Sequence, residues 1–208
     1  MSALKRATGP VAGVVVGGVA LAAVLWVVSA RGSGTESRNP AADSGQREVA
    51  ILAGGCFWGM EDLLRELDGV VETEVGYAGG SSPNVGYDAV RTGRTGHAEA
   101  VRVVYDPARL SYEELLRFYF RIHDPTTKNR QGNDIGSQYR SVILVLDDGQ
   151  RRVAEAVRAD VDASGFWSDP IVTEIAEAGP FVDAEAYHQD YLEKNPGGYT
   201  CHWIRPER

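Results

Sequence analysis

Cysteine is scarce in this chain: Cys56 and Cys201 are the two among 208 residues. That excludes a four-cysteine zinc site, and the absence of a Cys-x-x-Cys pair argues against a thioredoxin-like redox motif. The four histidines, His97, His123, His188 and His202, show no i, i+4 pair or other ligand spacing, so no bound metal is expected. No phosphate-cradling or dinucleotide-binding glycine pattern occurs. Lysine is nearly missing, 3 against 18 arginines, which reads as a GC-rich coding sequence rather than an arginine-rich binding site. Beyond the first 30 residues there are 19 basic and 29 acidic side chains, a net of about −10 before histidine. Such a balance disfavours nucleic acid and acidic substrates as partners.

Long uncharged runs are also missing, with one exception. Between Arg6 and Arg31 lie 24 uncharged residues, which as a helix rising about 1.5 Å per residue would span a ~30 Å hydrocarbon core. Residues 1–30 are therefore expected to be a single-pass membrane anchor. The alternative is a signal peptide cleaved near Ala30, where Val28-Ser29-Ala30 offers small residues. Lys5 and Arg6 argue for the N-terminal end inside, which would put the rest of the chain outside the cytoplasm, although Arg31, Arg38 and Arg47 weaken that rule. Residues 31–47, rich in Gly, Ser, Asn and Pro, read as a disordered tether, and residues 48–208 as one catalytic-size domain.

Within that domain Gly54-Gly55-Cys56-Phe57-Trp58-Gly59 stands out. An apolar, strand-like run from Glu48 to Ala53 precedes it, and an amphipathic helix over 57–68 follows, with Met60, Leu63, Leu64 and Leu67 on one face. Cys56 thus falls at a helix N-terminus, where free N–H groups and the dipole favour an anion, so a thiolate is expected there. Further strands read as Val70 to Gly76, Glu99 to Tyr105 and Ser141 to Leu146. A helix opened by the Ser111/Glu114 capping box ends near Asp124-Pro125. The order βαββαβ predicts an α+β fold of the split βαβ, ferredoxin-like type: a two-layer sandwich of antiparallel sheet with helices on one face. A helix from Gln150 to Ala163, a strand from Ile171 to Ile175 and a loop-forming tail extend it at the C-terminus.

A cysteine at that turn can be a packed hydrophobe or a nucleophile. Cys201 can close a fixed disulfide with Cys56, but Gly197-Gly198 gives it a mobile backbone, as a resolving cysteine requires. Loop segments Thr95 to Glu99 and Gly132 to Asp134, with Gln138-Tyr139-Arg140, bring carboxyl groups and a phenol to strand mouths.

Five motifs, in order, carry a resemblance: Gly55-Cys56-Phe57-Trp58-Gly59; Gly76-Tyr77-Ala78-Gly79-Gly80; Gly96-His97-Ala98-Glu99; Gly132-Asn133-Asp134 with Gln138-Tyr139-Arg140-Ser141; and Lys194-Asn195-Pro196. Together, from about Glu48 to Trp203, the chain resembles the A class of peptide methionine sulfoxide reductase. The resemblance implies Cys56 as nucleophile, Phe57 and Trp58 as aromatic walls for the substrate methyl group, and Glu99 as acid. It also implies Tyr87 and Tyr139 as hydrogen-bond donors to the sulfoxide oxygen, Asp134 as the carboxylate beside them, and Cys201 as the recycling cysteine. The implied reaction reduces methionine S-sulfoxide, free or in oxidised proteins, through a Cys56 sulfenic acid and a Cys56–Cys201 disulfide that thioredoxin or another dithiol reduces. No bound cofactor is implied, and a monomer is expected. A sulfoxide is a poor electrophile until its oxygen is protonated, so Glu99 has to be buried enough to stay neutral. Other readings are a different two-cysteine thiol enzyme, such as a peroxidase, or a tethered binding module with a fixed bridge.

Overall fold

The computed structural model describes residues 45–206; the expected anchor, residues 1–30, and the tether up to residue 44 lie outside the described residues. Among the described residues no helix is long and apolar enough to cross a membrane.

The chain runs β1 (Glu48–Gly54), α1 (Phe57–Arg65), β2 (Val70–Ala78), α2 (Tyr87–Val90), β3 (Ala98–Tyr105) and α3 (Tyr112–Ile122). A small hairpin follows, β4 (Arg130–Gln131) and β5 (Asp134–Ile135), then a 3-10 turn at Ser137–Tyr139 and β6 (Ser141–Val145). The C-terminal part is α4 (Asp148–Ala163), β7 (Glu174–Glu177), β8 (Val182–Asp183) and α5 (Tyr191–Lys194). The main sheet has the order β7-β6-β1-β3-β2-β8. Its inner four strands are antiparallel neighbours and form the expected split βαβ core. The sheet is not antiparallel throughout, because β7 joins β6 in parallel.

Period-two alternation assigns each strand residue to a face. Ala50, Leu52, Val101, Val103, Ile143 and Val145 point to the helices, while Ile51, Ala53, Ala98, Ala100, Val142 and Leu144 point away into a second apolar cluster. The expectation of a two-layer sandwich is therefore incomplete. β7 and β8 sit at opposite edges, so the chain between them crosses the second face, and Ala176, Ala178 and Phe181 cover it. β1 consequently reads as a continuous apolar run: it is buried on both sides. The capping box at α3 forms as expected, Glu114 N–H donating to Ser111 Oγ at 3.2 Å and Ser111 N–H to Glu114 Oε2 at 2.9 Å.

Candidate active site

β1 ends in a turn at Gly55, whose φ of +117° is open to glycine and strained for other residues. The turn places Cys56 at the N-cap of α1, 6% exposed. Directly opposite, Glu99 sits near the start of β3 on the same face as Val101 and Val103, which turns its carboxyl group under the helix rather than into solvent. It is 3% exposed, and its Oε2 accepts the Phe57 backbone N–H at 3.1 Å.

Those groups open on a cavity of about 180 Å³. Cys56, Phe57, Trp58 and Glu99 line it from α1 and β3. Tyr87 comes from the first turn of α2, Asp134 from β5, and Tyr139 from the 3-10 turn. Elements that the sequence pattern left as loops therefore supply three of the expected residues. Larger clefts exist, one of about 660 Å³ beside Glu48 and Tyr112, but its lining holds no thiol. Among the described residues no three His, Cys, Asp or Glu side chains converge as a metal set.

Burial dominates the electrostatics. It pushes the Cys56 thiol well above its ordinary value, and the nearby Glu99 adds to the effect. The expectation of a preformed thiolate at the helix end is thus overturned, since the dipole stabilises an anion by at most ~2 kcal/mol and desolvating a charge costs more. Burial also pushes Glu99 up to about 8, with the Phe57 N–H opposing and Asp134 contributing, so at neutral pH the carboxyl group keeps its proton. The phenols of Tyr87 and Tyr139 are raised by burial and then by Glu99, and both remain O–H donors.

Cys201 does not line the cavity but stands beside it. Its Sγ lies 3.4 Å from Asp134 Oδ2, and both cysteines are free thiols. Burial and Asp134 push Cys201 up to about 11, against the lowering contact of the Cys56 backbone N–H. Asp134 Oδ2 also accepts from Tyr199 OH at 3.1 Å, so this carboxylate is engaged with the tail in the reduced protein.

Four further residues complete the site and escaped the sequence reading. Trp58 Nε1–H donates to His188 Nδ1 at 3.1 Å, which leaves His188 neutral with its proton on Nε2; burial pushes the same way. Tyr191 stacks on Trp58 at 3.7 Å between ring centres. Tyr199 lines the cavity. Glu185 accepts Tyr77 OH at 2.7 Å and the Tyr87 backbone N–H at 2.9 Å, which holds the start of α2 in place. Each lies 65 residues or more from its partner, and these lone tyrosines, histidine and glutamate carry no local pattern that could have announced them.

Comparison with known proteins agrees with this geometry. Residues 48–208 match the model of the family described as peptide methionine sulfoxide reductase. A Streptomyces avermitilis protein named peptide methionine sulfoxide reductase MsrA is 58% identical over 161 residues, covering 77% of this chain and 92% of its own length. The crystal structure of reduced Mxr1 from Saccharomyces cerevisiae superposes with a TM-score of 0.74 at 41% identity, covering 79% of this chain and 95% of that one. Mxr1 in complex with Trx2 matches at a TM-score of 0.53 and 27% identity, covering 81% of this chain and 97% of that one. With the family model spanning the whole described fold and a relative this close, the chain belongs to the peptide methionine sulfoxide reductase family, in its A class.

Proposed function

We propose that this protein reduces the S epimer of methionine sulfoxide, free or within oxidised proteins, by thiol chemistry at Cys56. The observation that carries the reading is the pairing of a buried thiol with a carboxyl group that stays protonated at neutral pH, in one small aromatic cavity. Phe57 and Trp58 receive the methyl group by apolar contact, and Tyr87 and Tyr139 donate to the sulfoxide oxygen. Glu99 delivers its proton to that oxygen as Cys56 sulfur attacks, and the thiol proton returns to Glu99. The oxygen passes to Cys56 as a sulfenic acid, and methionine leaves with its sulfur reduced by two electrons. Cys201 then condenses with the sulfenic acid, releasing water, and a thioredoxin-like dithiol reduces the resulting disulfide. The test is turnover of the two epimers of a methionine sulfoxide peptide by the full chain with dithiothreitol. Consumption of the S epimer alone is expected; consumption of neither would end the reading.

The two cysteines are separable in that scheme. Cys201→Ser should still release one equivalent of methionine per protein in a single turnover, leaving a sulfenic acid that dimedone traps, while thioredoxin-driven turnover stops. An unchanged thioredoxin-driven rate would show that Cys201 does not resolve the intermediate.

The reading extends to location: residues 1–30 anchor the chain in a membrane with the reductase domain outside the cytoplasm. Supporting it are the 24 uncharged residues, enough to span, the flanking Lys5 and Arg6, and the polar residues 31–47 that follow. Electrons would then have to reach Cys201 across the membrane or from a secreted dithiol. In fractionated cells the protein should be in the membrane and sensitive to protease shaving of intact cells. Recovery in the soluble cytosol, or protection until lysis, would refute the topology and leave the chemistry untouched.

A further inference from the structure

Gly197 has a φ of +81° with open space around it, and Tyr199 is exposed apart from its bond to Asp134, so few contacts hold the chain just before Cys201. The residue just after it is not. His202 is 6% exposed, and its Nε2–H donates to the Gly54 carbonyl oxygen at 2.9 Å. Gly54 belongs to the turn that delivers Cys56. That bond fixes the tautomer and leaves the Nδ1 lone pair facing Cys201 Sγ at 3.5 Å. The His202 backbone N–H donates to Thr200 Oγ1 at 3.1 Å, closing the local bend. The seat exists because α1 has no side chain there: a Cβ at Gly59 would lie 2.7 Å from His202 Nδ1 and overlap Thr200 Oγ1, and one at Gly55 would lie 3.0 Å from His202 Nε2.

We propose that His202 is the positioning residue of the second chemical step, seating Cys201 against Cys56 through its bond to the Gly54 carbonyl; this rests on the reading of Cys201 as the resolving thiol. In that step the Cys201–Cys56 sulfur–sulfur bond forms and the sulfur–oxygen bond of the Cys56 sulfenic acid breaks. Hydroxide leaves with the Cys201 proton as water, and the sulfenic acid itself is the oxidant. A mobile thiol would have to find that sulfur by loop closure, whereas a seated one begins close to it. Burial holds His202 down to about 4 with the Gly54 carbonyl opposing, so the imidazole stays neutral and its hydrogen-bond pattern unchanged across the working range. A second clamp lies further on, where Arg205 N–H donates to the Arg121 carbonyl at 3.1 Å and the Arg205 guanidinium packs over Trp167 and Trp203. Losing His202 therefore loosens Cys201, leaving it only its contacts to Asp134 and the Cys56 N–H, without releasing the whole tail.

Single-turnover quench experiments on the full chain test this. His202→Ala should release methionine within about threefold of the wild-type rate but form the Cys56–Cys201 disulfide at least tenfold more slowly, with dimedone-reactive sulfenic acid accumulating. His202→Gln, which keeps a donor at the Nε2 position, should recover most of the loss. Gly59→Ala reaches the seat from the other side with a residue of higher helix propensity, and should show the same selective slowing while α1 keeps its circular dichroism. Wild-type disulfide rates in both His202→Ala and Gly59→Ala, or equal slowing of both steps in His202→Ala, would overturn the proposal. Failure of the underlying reading looks different: Cys201→Ser would then keep turning over with thioredoxin.

Discussion

Cys56→Ser will reduce methionine sulfoxide no faster than background, and the folded protein will be no less stable for it. Both halves of that expectation come from the same position. A serine hydroxyl near neutral pH is a far weaker nucleophile than a thiol, and Glu99, the carboxyl group set against residue 56, is held protonated near neutral pH and cannot activate a hydroxyl as the histidine of a Ser–His pair does. Cys56 makes no capping hydrogen bond of its own at the N-cap of α1, whereas serine is among the preferred N-cap residues and could add one. An unchanged or raised melting temperature together with lost activity would therefore separate chemistry from folding. Because burial raises the thiol, iodoacetamide should also modify wild-type Cys56 slowly at pH 7 in the absence of substrate. More than a trace of residual reduction would remove Cys56 from its proposed role.

Glu99→Gln should slow formation of the sulfenic acid by about 10² to 10⁴-fold with a small change in KM. The amide oxygen can still accept the Phe57 N–H now held at 3.1 Å, so geometry survives while the acidic proton is lost. In the wild type the first step should fall as pH rises through about 8, where Glu99 ionises; the variant should lack that limb. Stability gives an independent reading. Glu99 goes from 4.5 to about 8 on folding, so its contribution is fully present below about 4.5 and is lost as pH rises through 8. Above that the folded protein carries a buried carboxylate, and Gln should stabilise the protein there by a few kcal/mol relative to wild type, measured by urea denaturation at pH 9 against pH 5. A sulfenic-acid rate within about threefold of wild type would move the acid role to Asp134 or the tyrosines.

Most of the inner fold was legible because its signals are local. The apolar run of β1, the Ser111/Glu114 box and the 3.6-residue periodicity of α1 each lie within one element, and each formed where expected. α1 stops at Arg65 rather than at Asp68, where Leu67 N–H bonds to Leu64 O in a tighter turn ahead of Gly69. Less legible were the edge strands. The strand expected at Ile171 to Ile175 is instead Glu174–Glu177, since its register is set by pairing with β6 and not by its own pattern. The tail, expected to be loose, is held by His202 and Arg205, contacts to residues 148 and 84 positions away.

By itself the sequence determined the family and placed Cys56 at its turn and Glu99 on β3, the two positions proposed for nucleophile and acid, because the five short motifs lie each within one local segment. Tertiary structure alone decided the protonation of the site. The same helix N-terminus that favours an anion in water lies here under a sheet, beside Glu99 and within reach of Asp134, and the loss of solvent outweighs the dipole. It also decided that His188, Tyr191, Tyr199 and His202 join the expected Tyr87 and Tyr139 around the Cys56 turn, because they converge by packing across the chain and no spacing in the sequence records that convergence.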